Sequence, residues 1–132
     1  MLASGQQPPY GRKMGVSLVQ ADAGHAVFKG TPDASCFNPM GSVHGGYAAA
    51  MLDSACGIAA HTGLRPGQAY TTLELKTSFL RPLTDRSGTV RAVGRLLSIG
   101  GRAAFAEAWL YDAAGRLCAT ATATLLVFDA RA

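Results

Sequence analysis

Charge is scarce in this chain. Of its 132 residues only 15% are Asp, Glu, Lys or Arg, with 12 basic against 8 acidic. The net charge of +4 is scattered, with no run of Lys or Arg, so the electrostatic footprint of a nucleic-acid binder is missing. A mild positive excess suits a protein that handles an anionic small molecule. Cysteine is also sparse. Cys36, Cys56 and Cys118 are odd in number, far apart and without a C-x-x-C pair. That spacing excludes a zinc-type ligand set and fits reduced thiols in the cytoplasm. The first residues, MLASGQQPPYGRKMG, hold no apolar stretch of signal-peptide length. The apolar run from Gly45 to Ala60 is too short to span a bilayer and is interrupted by Asp53. Internal repeats and low-complexity tracts are lacking too. The expectation is a soluble cytoplasmic protein with no membrane, nucleic-acid or metal partner.

What is present is a hydrophobic fraction of 48%, enough for one domain with a real core. Residues 1–13, rich in Gly, Gln, Pro and Ser, read as a flexible N-terminal arm, and 14–132 as a single domain. Met14 to Gln20 and His25 to Lys29 form a first hairpin around an Ala-Asp-Ala-Gly turn. Gly30 to Met40, with two prolines and Asn38, is loop. A helix then runs from Gly45 to about Gly63, closed by Arg65-Pro66-Gly67. Because it is apolar on nearly every face, it is expected to be buried, with Asp53 as a lone carboxylate inside it. From Tyr70 to Phe79, Leu73, Leu75 and Phe79 fall on one face of a strand and Glu74, Lys76 and Ser78 on the other. Thr89 to Ser98, Ala103 to Tyr111 and Arg116 to Phe128 are further strands, the last pair joined by a turn at Asp112-Ala-Ala-Gly115. The predicted fold is α+β, a curved antiparallel sheet wrapped around one long central helix. Its long Thr-rich edge is expected to pair with a second copy.

The chemistry-bearing residues cluster at the helix. Asn38, His44 and Asp53 are separated by six and nine positions, and Gly45 and Gly46 follow the His where the helix opens. Unpaired backbone N–H groups at a helix start lie at the positive end of its dipole, where a carbonyl oxygen gaining negative charge is stabilised. Asp53 lies about 12 Å further along by helical rise, too far to act on that carbonyl from its own chain. It is therefore expected to act across a subunit boundary.

The string N-P-x-G-x-V-H-G-G-x-x-x-x-x-L-D-S-A, followed by T-T-L-E-L-K-T-S-F-L-R-P, closely resembles the hotdog-fold thioesterases of the phenylacetic-acid-degradation (PaaI) type. The resemblance covers about Gly15 to Phe128. It implies hydrolysis of acyl-coenzyme A by homodimers with interface active sites, paired as a dimer of dimers, with no cofactor beyond the coenzyme A of the substrate. It implies Asp53 as general base or nucleophile, the Asp counterpart of a Glu used by a sister branch. Gly45 becomes the oxyanion donor, Asn38 an orienting group and His44 a positioning one. Thr72 matches a water-holding hydroxyl, with Thr71 one position away as the alternative. Gly46, Tyr47, Arg81, Gly101 and Arg102 are the candidates for binding substrate or coenzyme A, with Lys76 a further cation near them. The acyl group stays open between aromatic (phenylacetyl, hydroxyphenylacetyl) and medium-chain aliphatic.

Each candidate also has a structural account. Asp53 could cap a loop, His44 could satisfy the helix start, Asn38 could shape a turn, the glycines could permit close packing, and Thr72 could be an ordinary strand residue. Cys56 has no paired base and reads as packing. A hydratase or dehydratase on acyl thioesters and a non-catalytic acyl-thioester binder are the rival readings, since one fold hosts all three.

Overall fold

The computed structural model describes residues 7–130. A short helix α1 (Pro9–Met14) leads into β1 (Val16–Asp22) and β2 (His25–Gly30). After a 3-10 turn at Ala34–Cys36 comes α2 (Gly45–His61), then β3 (Gln68–Phe79), β4 (Val90–Ile99), β5 (Ala103–Tyr111) and β6 (Leu117–Asp129). The strands form one antiparallel sheet in the order β1-β2-β4-β5-β6-β3. α2 is the long connection that carries the chain from β2 across the concave face to the far edge, where β3 lies. This is the predicted α+β hotdog architecture.

The sheet curves because its strands carry extra residues. Val19, Leu73 and Leu97 each fall at a register shift, between Leu18 and Gln20, Thr72 and Glu74, and Leu96 and Ser98. A bulge bends its strand and strengthens the local twist, which lets a sheet wrap a helix. On β6 the alternation is as read: Ala119, Ala121, Ala123 and Leu125 are buried, while Thr120, Thr122 and Thr124 face away. On β3 the bulge corrects the expected pattern. Leu73 is 61% exposed and does not share the buried face of Leu75. The inward residues there are Tyr70, Thr72, Leu75 and Thr77, opposite buried Val127, Leu125, Ala123 and Ala121.

α2 seats on the sheet through missing side chains. A Cβ on Gly94 of β4 would overlap the Ala55 carbonyl oxygen of the helix, so only glycine allows the observed approach. Met51, Leu52, Ala55, Cys56, Ala59 and Ala60 are wholly buried along that contact. The expectation of burial on every side needs correction, however. Gly46 and His61 are exposed, and Ala49, Ala50, Asp53, Ser54 and Ile58 are only half-buried. They form one open stripe along the helix, recurring every three to four residues. Part of the stretch expected to be an N-terminal arm is helical. Pro9 opens a helix at a position where its missing N–H costs nothing, and Gly15, at φ 69°, closes it in the left-handed conformation. Residues 1–6 of the expected arm lie outside the described residues. No helix among the described residues is long and apolar enough to cross a membrane.

Candidate active site

The loop before α2 is held by one side chain. The Asn38 Oδ1 accepts from the backbone N–H of Met40 (2.9 Å) and Ser42 (3.2 Å), and its Nδ2 donates to the Ser42 hydroxyl (3.0 Å). Asn38 is thus the organiser of a tight 38–42 turn, which uses most of its hydrogen-bonding capacity. The turn delivers Val43 and His44 to fixed backbone partners, with Val43 N–H donating to Leu83 O and His44 N–H to Cys36 O. His44 is then the N-cap: its Nδ1 accepts the Gly46 N–H at 2.7 Å, which places its ring proton on Nε2 when neutral. With Gly46 satisfied in this way, the Gly45 N–H at the first helical position finds no acceptor among the described residues. It stands at the positive end of a 17-residue helix.

Beside it is a pocket of about 60 Å³ lined by Val43, His44, Gly45, Phe79, Arg81 and Cys118, among others. The Phe79 ring, 60% exposed, lies close to Gly45, where a Cβ would come within 3.2 Å of it. Arg81 puts a cation at the same mouth. Cys118 is no nucleophile there: burial, and then the nearby Asp112 charge, raise its pKa.

A second cluster sits further along the helix. Asp53, half-buried on the open stripe, accepts a 2.8 Å hydrogen bond from the Thr72 hydroxyl. Thr72 points inward because the β3 bulge begins immediately after it, which distinguishes it from exposed, outward-facing Thr71. The bond ties one carboxylate oxygen to the sheet and fixes the direction of the other. Cys56, one turn away, has its pKa pushed up to about 12 by burial and by the Asp53 charge, so it remains a thiol.

The fold brings some predicted residues together and separates others. Gly45, Gly46, His44, Arg81 and the Asn38 turn share the helix start, while Asp53 and Thr72 form their own pair. Tyr47 does not line the pocket. It is 5% exposed, with its hydroxyl packed over Gly30 and lacking a partner, and burial is the first cause that pushes its pKa up to about 12. Gly101 and Arg102 occupy the β4–β5 turn, opposite the far end of β6, where Arg102 O accepts from Val127 N–H. From Ala119 beside the pocket to Leu126 beside that turn is about 23 Å of strand, so within one chain they do not meet the helix start. Lys76 points outward. Tyr70, for which the sequence pattern gives no functional signal, lies two residues from Thr72 on the same inward face. Among the described residues no three of His, Cys, Asp and Glu are grouped as metal ligands.

The chain and its fold have relatives among known proteins. A family model described as the thioesterase superfamily matches residues 40–119. The chain is 31% identical over 107 residues to the proofreading thioesterase EntH of Klebsiella pneumoniae, covering 81% of this chain and 77% of that one. A solved phenylacetic acid degradation-related protein from Ralstonia eutropha superposes with a TM-score of 0.82 at 32% identity, covering 92% of this chain and 91% of that one. A mutant of the phenylacetic acid degradation protein PaaI from Thermus thermophilus superposes at 0.81 with 26% identity, over 90% of this chain and 98% of that one.

Proposed function

This chain belongs to the thioesterase superfamily, and from that premise we propose that it hydrolyses acyl-coenzyme A in sites shared between two copies. The observation that carries the reading is the Thr72–Asp53 hydrogen bond, on the half-open stripe of a helix whose first N–H is unclaimed. With Thr72 on Oδ1, the second oxygen of Asp53 is left to take a proton from water or to attack the thioester carbon directly. The Gly45 N–H and the helix dipole stabilise the oxyanion that forms. His44 holds the helix start open by capping Gly46, Asn38 sets the loop that places His44, and Arg81 offers a charge to the phosphates of coenzyme A.

Two copies are required because the eight helical positions from Gly45 to Asp53 span about 12 Å. β3 supplies the contact: it is a 12-residue edge strand with no neighbour on one side among the described residues. A two-fold pairing of β3 with its copy runs the helices antiparallel. It sets the half-buried stripe of each against the other and brings Gly101 and Arg102 of each chain to the end where the other's helix begins. The acyl group, aromatic (phenylacetyl or hydroxyphenylacetyl) or medium-chain aliphatic, then lies between the two chains. All three cysteines are free thiols, which supports a reducing cytoplasmic setting.

The test is release of free thiol from acyl-coenzyme A substrates running from acetyl through decanoyl to benzoyl, phenylacetyl and hydroxyphenylacetyl, with the parent beside Asp53→Asn. Release that depends on Asp53 supports the proposal, and the best substrate names the pocket. Binding of acyl-coenzyme A without release from any of them contradicts it and points to a hydratase or a binding module.

A further inference from the structure

We infer that Tyr70 is a further catalytic residue of this site, its hydroxyl holding the water that attacks the thioester while Asp53 takes the proton. The inference rests on Asp53 as the general base proposed above, and adds to it a group that neither the motif nor the family match points to. Tyr70 and Thr72 face the helix together, opposite buried Val127 and Leu125 of β6. Thr72 meets Asp53, and one inward position along the strand, about 7 Å away, Tyr70 meets Gly57. The Cβ that Gly57 lacks would stand 2.5 Å from the Tyr70 hydroxyl oxygen.

That coincidence places the hydroxyl on the helical turn next to the carboxylate. Gly57 is one helical turn beyond Asp53, and Cβ positions at that spacing are about 5–6 Å apart. The Tyr70 oxygen therefore sits near where the first side-chain atom of a residue stacked above Asp53 would be. No hydrogen bond joins that oxygen to Asp53, whose one observed side-chain partner among the described residues is Thr72, so the proposed link between them is a single bridging water. The ring is steadied by His61 on the next turn, edge-on with centroids 6.2 Å apart. No described residue hydrogen-bonds the Tyr70 hydroxyl, and unlike that of Tyr47 it is not sealed from water. Burial, reinforced by the Asp53 charge, raises its pKa, so at neutral pH it is a neutral phenol.

A water between the two groups gives one hydrogen to the free oxygen of Asp53 and the other to the Tyr70 oxygen, leaving a lone pair for the thioester carbon. Asp53 removes the first proton as the C–O bond forms. The tetrahedral oxyanion then expels the sulfur, and the thiolate recovers that proton from Asp53. The products are the free acid and the coenzyme A thiol, with atoms and charge balanced.

Tyr70→Phe keeps the ring over Gly57 and removes only the oxygen. The expected result is a kcat lower by about tenfold or more, with KM within about twofold and the unfolding midpoint unchanged. Gly57→Ala, which must push the ring out of its seat, is expected to lose turnover as well. Asp53→Asn is measured alongside on the same substrates. If Asp53→Asn is inactive while Tyr70→Phe turns over like the parent, the role of Tyr70 is overturned and that of Asp53 stands. If Asp53→Asn is itself active, the reading of the whole site is overturned. If Tyr70→Phe raises KM for hydroxyl-bearing acyl groups alone, the hydroxyl reads the acyl group rather than the water, and the inference is overturned.

Discussion

The two faces of α2 are built from the same small residues and do opposite things. On the packed face Ala55, Cys56, Ala59 and Ala60 are wholly buried, and the helix backbone rests directly on Gly94. On the other face Gly46, Ala49, Ala50, Asp53, Ser54 and Ile58 are left half-open or exposed by their own chain, and the only charge in the run stands among them. Small side chains on the first face serve close approach, which stabilises by packing and excludes water. On the second they leave room for a partner helix and a substrate around a carboxylate. The contrast teaches that stability and chemistry are separable along this helix by face, even where composition does not distinguish the faces.

The largest expected effect falls on the open face. Asp53→Asn should lower turnover by about 10²–10⁴-fold while the thermal midpoint stays near that of the parent, because the carboxylate contributes general-base catalysis rather than packing. A midpoint that collapses together with activity would make Asp53 structural and dissolve the contrast. Gly94→Ala attacks the packed face. Its methyl meets a backbone oxygen that cannot swing aside, so a loss of about 3 kcal/mol in urea unfolding is expected, at the upper end for overpacking. A loss below about 1 kcal/mol would show that the helix can lift off the sheet.

Thr72→Val removes the hydrogen bond to Asp53 with little change of shape. Charge-assisted bonds are worth about 1.5–3 kcal/mol, so kcat should fall roughly ten- to a hundredfold. Thr71→Val, on the outward side of the same strand, should leave kcat unchanged. The smallest effect is expected for Cys56→Ala. Turnover should stay within about twofold, since the thiol is neutral and faces the sheet. Folded Cys56 has a pKa raised from 9.0 to about 12, so the unfolded chain releases its proton first and stability is lost as pH rises through that window. Thermal melts at increasing alkaline pH should show that loss reduced in Cys56→Ala.

The fold class and the placement of the chemistry-bearing residues on one helix are legible in the sequence, for identifiable reasons. Asp53 announced itself as the lone charge in an apolar helix, and the Thr and Ala alternation of β6 gave both faces of that strand. The outward Leu73 is not legible in the sequence, because a period of two presumes an unbroken ladder and one bulged residue reverses the phase after it. The short helix at Pro9–Met14 within the expected arm has a signal in Pro9, which disrupts a helix interior but suits its first turn. Gly101 and Arg102 resemble an anion-wrapping turn locally. Only the β5–β6 register shows that the turn lies at the opposite end of the sheet from Gly45 within one chain. Tyr70 carries no signal in the sequence, because its significance depends on Gly57 and that pairing exists only once β3 is docked beside the helix.

The central claim, that one chain supplies the oxyanion donor and the other the carboxylate, has a direct test by complementation. Gly45→Pro deletes the N–H at the first helical position, where proline is otherwise well accommodated, and the exposed Phe79 ring beside it can step aside. Gly45→Pro and Asp53→Asn, each inactive alone, are unfolded together and refolded as a mixture, and thiol release is measured. Half the dimers are then mixed, each with one site holding both intact groups, so recovery of about a quarter of parent activity is predicted. Recovery of none, from mixed dimers shown to have formed, would place both groups of each site in one chain and contradict the account.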